Sequence, residues 1–263
     1  MKTAMMNKSR SLLLLSVLAV LFAACEEGII DNAVLSQNES KYLIVNGHEY
    51  VDLGLPSGTL WATMNLGASS ISDYGNYYAW GETKTKIEQS KTDNYNEETY
   101  KWLDIVTTTD EYGFETTKWT FTKYWRDVEV SGYTGIVDNN TVLVAEDDAA
   151  TMNWGGSWHT PTHADWNELA NINNCTWTSA TLNGVNGYKV ESKMNDKFIF
   201  LPATGYRYDT NYYSRGSYCV YWSSSLYEDY PHCAWHLGFR SGHVGNYYSN
   251  RYNGFAVRPV CHP

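Results

Sequence analysis

Between Tyr218 and Phe255 stand 11 aromatic side chains in 38 residues, more than the edge of one small core can bury. From Tyr218 to Pro263 there is no Lys, no Gln and no Met, and a single Glu. Tyr, His, Ser, Gly, Asn, Arg and Cys stand in their place over a sparse apolar frame. This is the composition of a paratope, in which Tyr supplies rigid contact area and Ser, Gly and Asn supply adaptable hydrogen bonding. The segment is expected to be a contact surface. Tyr227, Tyr230, Tyr247 and Tyr248 cluster among Gly and Ser without alternating into an apolar face, and are expected to be its exposed hot spots.

The opposite end of the chain reads as an address. Lys2, Lys8 and Arg10 precede the apolar run Leu12–Phe22 and the small residues Ala23 and Ala24. A basic, then apolar, then small-residue order is that of an export signal, and the run is too short to span a bilayer. Because it leads directly into Cys25, it resembles a bacterial lipoprotein signal. That resemblance implies removal of residues 1–24 and lipid modification of Cys25. Residues 25–45 then read as a tether. Glu26 and Glu27 resemble the surface-export signal of lipoproteins in the Bacteroides group, which implies the outer face of the outer membrane. Such an anchor holds a domain to the membrane without spanning it.

The rest fits one domain, residues 46–263, with an excursion at about 84–145 that has no clear period. The formal charge of −10 argues against nucleic acid. From Tyr213 onward, however, Arg215, Arg240, Arg251 and Arg258 face only Glu228 and Asp229. Cys175, Cys219, Cys233 and Cys261 allow three pairings in an oxidising compartment. At most one disulfide is expected, with Cys219 and Cys261 as the partners.

His48–Leu55 alternates and breaks at Pro56-Ser57-Gly58, and Thr59–Asn65 follows as the second strand of a hairpin. One helix is expected over Ala145–Asn153, with acid at its front. Another follows Pro161, with Thr162 as N-cap and Trp166, Leu169, Ala170 and Ile172 as its apolar stripe. Short strands such as Lys189–Glu191 and Phe198–Leu201 come next, between turns at Asn183-Gly184 and Asn186-Gly187. Strands, two helices, then many short strands predict an α+β fold, two helices packed on short, mostly antiparallel strands. Trp154, Trp158, Trp166, Trp177, Trp222 and Trp235 are expected in the core. Arg258 is expected to tie the last strand back to the body.

Several motifs now stand in order: Tyr50–Ala62, Tyr78-Ala-Trp-Gly-Glu82, Trp154-Gly-Gly-Ser-Trp-His-Thr-Pro161, Phe200–Ala203 with Gly205-Tyr206-Arg207, Tyr221–Ser225 and Val257–Val260. Together they resemble the Fibrobacter succinogenes major paralogous domain family. That resemblance covers residues 46–263 and implies a C-type-lectin-like fold related to that of the formylglycine-generating enzyme. A narrower resemblance is to the variable targets of diversity-generating retroelements. Their adenine mutagenesis of Asn codons yields Tyr, His, Cys, Arg, Gly and Ser but not Lys, Glu, Gln, Met or Trp. The resemblance implies a variable binding region at about 218–255. Its candidate varied positions are Tyr230, His232, Cys233, His236, Gly238, Arg240, Gly242, His243, Gly245, Tyr247, Tyr248 and Ser249, with Tyr227 beside them. Trp222, Ala234, Trp235, Leu237, Phe239, Val244, Arg251, Val257, Arg258 and Pro259 would be the fixed frame. In such targets the varied side chains share one solvent-facing patch.

Catalysis is not expected. Cys219 and Cys233 match no reactive-Cys motif, and Asp147-Asp148 is explained by helix capping. The seven His residues show no HExxH or other ligand spacing, so no metal and no cofactor is expected. Calcium would need several converging oxygens, and only Glu228 and Asp229 offer them in this region. The expected function is ligand recognition by a surface lipoprotein. The partner would be a protein or glycan on another cell, a host surface, a phage or a pilus. A fixed adhesin or glycan binder of the same fold is the alternative.

Overall fold

Alternation and close strand pairing, rather than helical periodicity, organise the chain. The computed structural model describes residues 28–29, 43–90, 92–240 and 242–262. The leader, Cys25 and most of the expected tether lie outside the described residues. Among the described residues no helix is long and apolar enough to cross a membrane.

The β3 (His48–Asp52) and β4 (Leu60–Ala62) hairpin forms as expected, with Val51 opposite Trp61. It belongs to a five-stranded sheet ordered β2 (Leu43–Val45), β3, β4, β17 (Val260–Cys261) and β8 (Trp158–His159). A second sheet is ordered β1 (Gly28–Ile29), β9 (Cys175–Leu182), β10 (Val185–Ser192) and β11 (Phe198–Pro202). Gly28–Ile29 and Leu43–Val45, both within the expected tether, are thus strands of the body. Asn183 and Gly184 turn β9 into β10 with φ of 50° and 78°, the primed turn that an Asn-Gly pair favours. Asn186-Gly187, expected as a second turn, lies inside β10.

The expectation of two helices packed on strands is overturned. Strands hold 44% of the structure and helices 11%. The helices α1 (Lys86–Ser90), α2 (Ala149–Trp154) and α3 (His163–Ala170) have 5, 6 and 8 residues, too short to form a layer. The fold is mostly β, with several small sheets. The start of α3 was nevertheless legible, whereas the helix expected from Ala145 begins only at Ala149, after a 3-10 turn over Ala145–Asp147. Thr162 and Asp165 form a capping box at α3, and Asp148 caps α2 by accepting from Thr151 N at 2.9 Å. Trp166 and Leu169 are buried on α3, but Ile172 falls beyond its end and is exposed.

The excursion is also structured. β5 (Leu103–Thr109), β6 (Glu115–Trp125) and β7 (Tyr133–Val137) form a sheet whose Leu103, Phe121 and Trp125 pack with Tyr77 and Tyr252 of the body. The far half of the β5–β6 hairpin is exposed on both faces, and so carries no burial period to read.

At the centre lie β14 (Cys219–Leu226), β15 (Cys233–Arg240) and β16 (His243–Asn250). Cys219, Tyr221, Leu237 and Phe239 pack on one side with Trp166, Leu169 and the second sheet. Val220, Trp222, Leu226 and Ala234 pack on the other with Trp80, Phe255 and Val257. The indole N–H of Trp166 donates to Trp222 O at 3.1 Å and that of Trp222 to Tyr78 O at 2.8 Å, which satisfies both buried rings. Arg258 is fully buried and donates to Asn65 Oδ1, Ala62 O, Thr63 O and Phe200 O, tying β17 to the body as expected. Of the six Trp expected inside, Trp158, Trp166 and Trp222 are buried, while Trp154, Trp177 and Trp235 are half-buried.

The expected Cys219–Cys261 disulfide is absent: Cys175, Cys219, Cys233 and Cys261 are free and buried. Cys219 sits in the central core, while Cys261 packs with Leu60, Ala62 and Trp158, so each behaves as a small hydrophobe. Burial raises all four thiol pKa values, Cys175 to about 11 and Cys233 to about 12. A thiol reagent is therefore expected to label none of the four in the folded protein and all four after unreduced denaturation. Mass spectrometry showing two of them unlabelled after denaturation would restore a disulfide.

Candidate ligand-binding site

Antiparallel register decides where the expected contact residues point. Tyr248 lies opposite Trp235 and Tyr247 opposite His236, and successive strand residues point to opposite faces. Tyr247 and Tyr248 are therefore on different sides of the sheet. The single patch that the resemblance implied divides in two.

On the α3 side, Tyr227 stacks on Tyr248 with centroids 4.0 Å apart, and Tyr230 lies 6.2 Å from Tyr248. Trp235 stacks on His163 at 4.1 Å, and His232 on Tyr133 of β7 at 4.7 Å. Tyr230 and Tyr248 are exposed, while Tyr227 and His232 are half-buried. Desolvation, then Asp229 and the neighbouring phenols, raise the Tyr227 pKa. Burial, then the charge of Arg251, lower that of His232. These rings spend much of their faces on each other.

The opposite side is built differently. Gly205, with φ of 59°, turns the chain so tightly that a Cβ there would lie 2.1 Å from Tyr213 O. This turn lets the hairpin of β12 (Tyr206–Tyr208) and β13 (Asn211–Tyr213) fold beside β14 and bring Tyr206 to face the sheet. Gly238 on β15 leaves room for two rings, since a Cβ there would meet the Tyr218 hydroxyl at 2.4 Å and Tyr247 at 3.0 Å. The result is a trough of two adjoining cavities that share Tyr206 and Tyr218. One, of about 430 Å³, is lined also by Ser214, Gly238, Phe239, His243 and Tyr247. The other, of about 270 Å³, is lined also by Val220, His236, Ser249, Asn253 and Phe255. Among the described residues no Asp, Glu, Lys or Arg lines either one.

His236 forms the trough's inner wall rather than an exposed contact. It is 4% exposed, packs edge-on to Phe255 and Trp222, and its Nε2 is 3.2 Å from Ser249 Oγ. Burial pushes its pKa down to about 4, so at neutral pH the ring is uncharged.

The other expected contacts scatter. Cys233 is interior, with Sγ 3.6 Å from Asn250 Oδ1, so it cannot serve as a surface contact. Gly238 is likewise buried, beneath Tyr218 and Tyr247. Gly245 packs near the Tyr247 ring, with room for a Cβ only at 3.3 Å. Gly242 lines a separate polar cavity of about 520 Å³ with Tyr188 and Ser217. Arg240 ends β15 opposite His243, and its side chain lies outside the described residues.

Tyr206, Ser214, Tyr218, Asn253 and His163 were not among the expected contacts. Only Tyr218 and Asn253 carried a signal, as members of the aromatic segment 218–255. Tyr206 and Ser214 reach the trough through a separate hairpin that no local pattern links to β16.

A family model described as a domain of unknown function (DUF8237) matches residues 186–260, under a third of the chain. That span runs from β10 to β17 and includes the whole trough. No curated protein matches the chain. No solved structure matches it either.

Proposed function

We propose that the protein is a ligand-binding lipoprotein acting in recognition or adhesion at the cell surface, held by a lipid on Cys25, with the trough beside β16 as its binding site. The observation that carries this reading is the trough's chemistry. Aromatic walls surround empty volume, with hydroxyl and amide groups between them and no charged side chain among the described lining residues. Such a surface suits a neutral, hydroxyl-rich ligand, whose C–H faces lie on rings while its hydroxyls bond Ser214, Ser249 and Asn253. A neutral glycan chain fits that description. The lipid anchor and outer-surface location rest on the leader and the acidic residues after Cys25.

Composition supports retroelement diversification of residues 218–255, whereas burial supports a fixed surface. Variation at Cys233, His236 and Gly238 would be variation of the interior, and the remaining positions do not share one patch. We therefore take the surface as fixed. The codons for Tyr227–Ser249 are expected to be invariant across a clonal population. Variation there, with a near-copy repeat and a reverse transcriptase gene nearby, would reverse this choice.

Binding is tested on an array of neutral oligosaccharides. Tyr247→Ala is expected to weaken capture about thirtyfold, the loss of a hot spot of about 2 kcal/mol, without moving Tm appreciably. The double variant Tyr230→Ala/Tyr248→Ala is expected to bind normally, because those rings lie on the other side of the sheet. The opposite pattern would transfer the site to the α3 side. No binding to any neutral glycan would remove the ligand class.

A further inference from the structure

Outside the trough, pairing of β17 with β8 places His262 against His159. Asp165, from the first turn of α3, completes the group, and one ligand atom from each residue lies within 4.8 Å of the others. We infer that His159, Asp165 and His262 form a binding site for a divalent transition metal of the zinc class. Two imidazoles and one carboxylate are the donor set such ions take, with further positions open to water.

The surrounding hydrogen bonds orient these donors. His159 Nδ1 is 2.9 Å from Ser157 O, which can only accept, so the neutral ring making this bond carries its proton on Nδ1 and presents the Nε2 lone pair. Asp165 accepts at Oδ2 from Thr162 N at 2.8 Å and Thr162 Oγ1 at 2.6 Å, which turns Oδ1 toward the histidines. Asp165 Oδ1 is 3.3 Å from His262 Nε2, and Thr59 Oγ1 lies 3.2 Å and 3.0 Å from these two atoms. The histidines are 103 positions apart, so no ligand spacing announces them. An occupied site would link β8, β17 and the start of α3. It is independent of the trough and of the reading given to it.

The test is titration of the metal-free protein, prepared without a polyhistidine tag, with zinc ion by calorimetry, together with Tm against zinc concentration. One equivalent is expected to bind and to raise Tm, because a ligand taken only by the folded state stabilises it. His262→Ala and His159→Ala are each expected to weaken binding at least tenfold. His262 is exposed, and its variant is expected to keep the metal-free Tm, which separates lost binding from lost folding. Absence of binding at millimolar zinc would overturn the inference and leave the group as a capped helix start with a His–Asp pair. Equal binding by both variants would overturn it as well, by placing the metal elsewhere.

Discussion

Replacing Arg251 with Ala is expected to cost about 4 kcal/mol of stability and to lower Tm by about 10 °C. The guanidinium is fully buried among Phe121, Trp80 and Tyr100, with centroids 4.7, 5.0 and 5.4 Å away. Its Nε donates to the Tyr100 hydroxyl at 3.0 Å. Nη1 donates to Tyr124 O and Pro231 O, and Nη2 to Lys123 O. Truncation would strip donors from three backbone carbonyls, two of them at buried residues, and would leave a cavity in an aromatic cage, so the penalties add. Lys should rescue little, because one ammonium cannot reproduce the planar fork. The same side chain joins β6 to the β14–β15 loop, so the variant should also loosen Tyr230 and His232. Thermal denaturation with near-ultraviolet circular dichroism checks both effects. A fall in Tm under about 2 °C would show that the cage does not depend on the cation.

Acid is expected to weaken the fold between about pH 6.5 and pH 4, chiefly through His236. Its folded pKa is held down to about 4 by burial against an ordinary 6.5. At pH 7 the ring is neutral in both states, and its full contribution to stability is present. As pH falls through 6.5 the unfolded chain takes up a proton that the folded one refuses, so stability drops until the folded pKa is reached. The loss over that window is about 3 kcal/mol. Burial lowers His48, His163 and His232 as well, so they act in the same direction. His236→Phe keeps a ring between Trp222 and Phe255 but cannot titrate. Its denaturant midpoint should therefore change less between pH 7 and pH 4.5 than that of the parent. Identical slopes would mean that His236 takes up its proton at the same pH folded and unfolded, so that burial does not hold its pKa down.

Some of this was legible in the residues because the forces involved are local. The Thr162 cap, the β3–β4 hairpin and the Asn183-Gly184 turn need only neighbours in sequence, and each appears where the pattern placed it. Arg258 was legible because a cation before Pro259 in an apolar segment has to be satisfied by the body. Fold class was not. Capped helix starts suggested helical layers, yet neither helix runs long enough to supply one, and the Thr-rich strands of the excursion show too little burial to reveal their period.

The contact segment shows the division most clearly. Its composition marked residues 218–255 as aromatic beyond the needs of a core edge, and Tyr230, Tyr247 and Tyr248 are indeed exposed. Composition has no direction, however. Whether a ring faces a cavity, a neighbour or solvent depends on register, and register pairs Tyr247 with His236 and Tyr248 with Trp235 on opposite faces. The trough further required Tyr206 from another hairpin, and the metal group required strand pairing across 103 positions. Backbone propensity and solvation act along the chain and can be read from it, whereas the convergence of distant side chains exists only once the strands have paired.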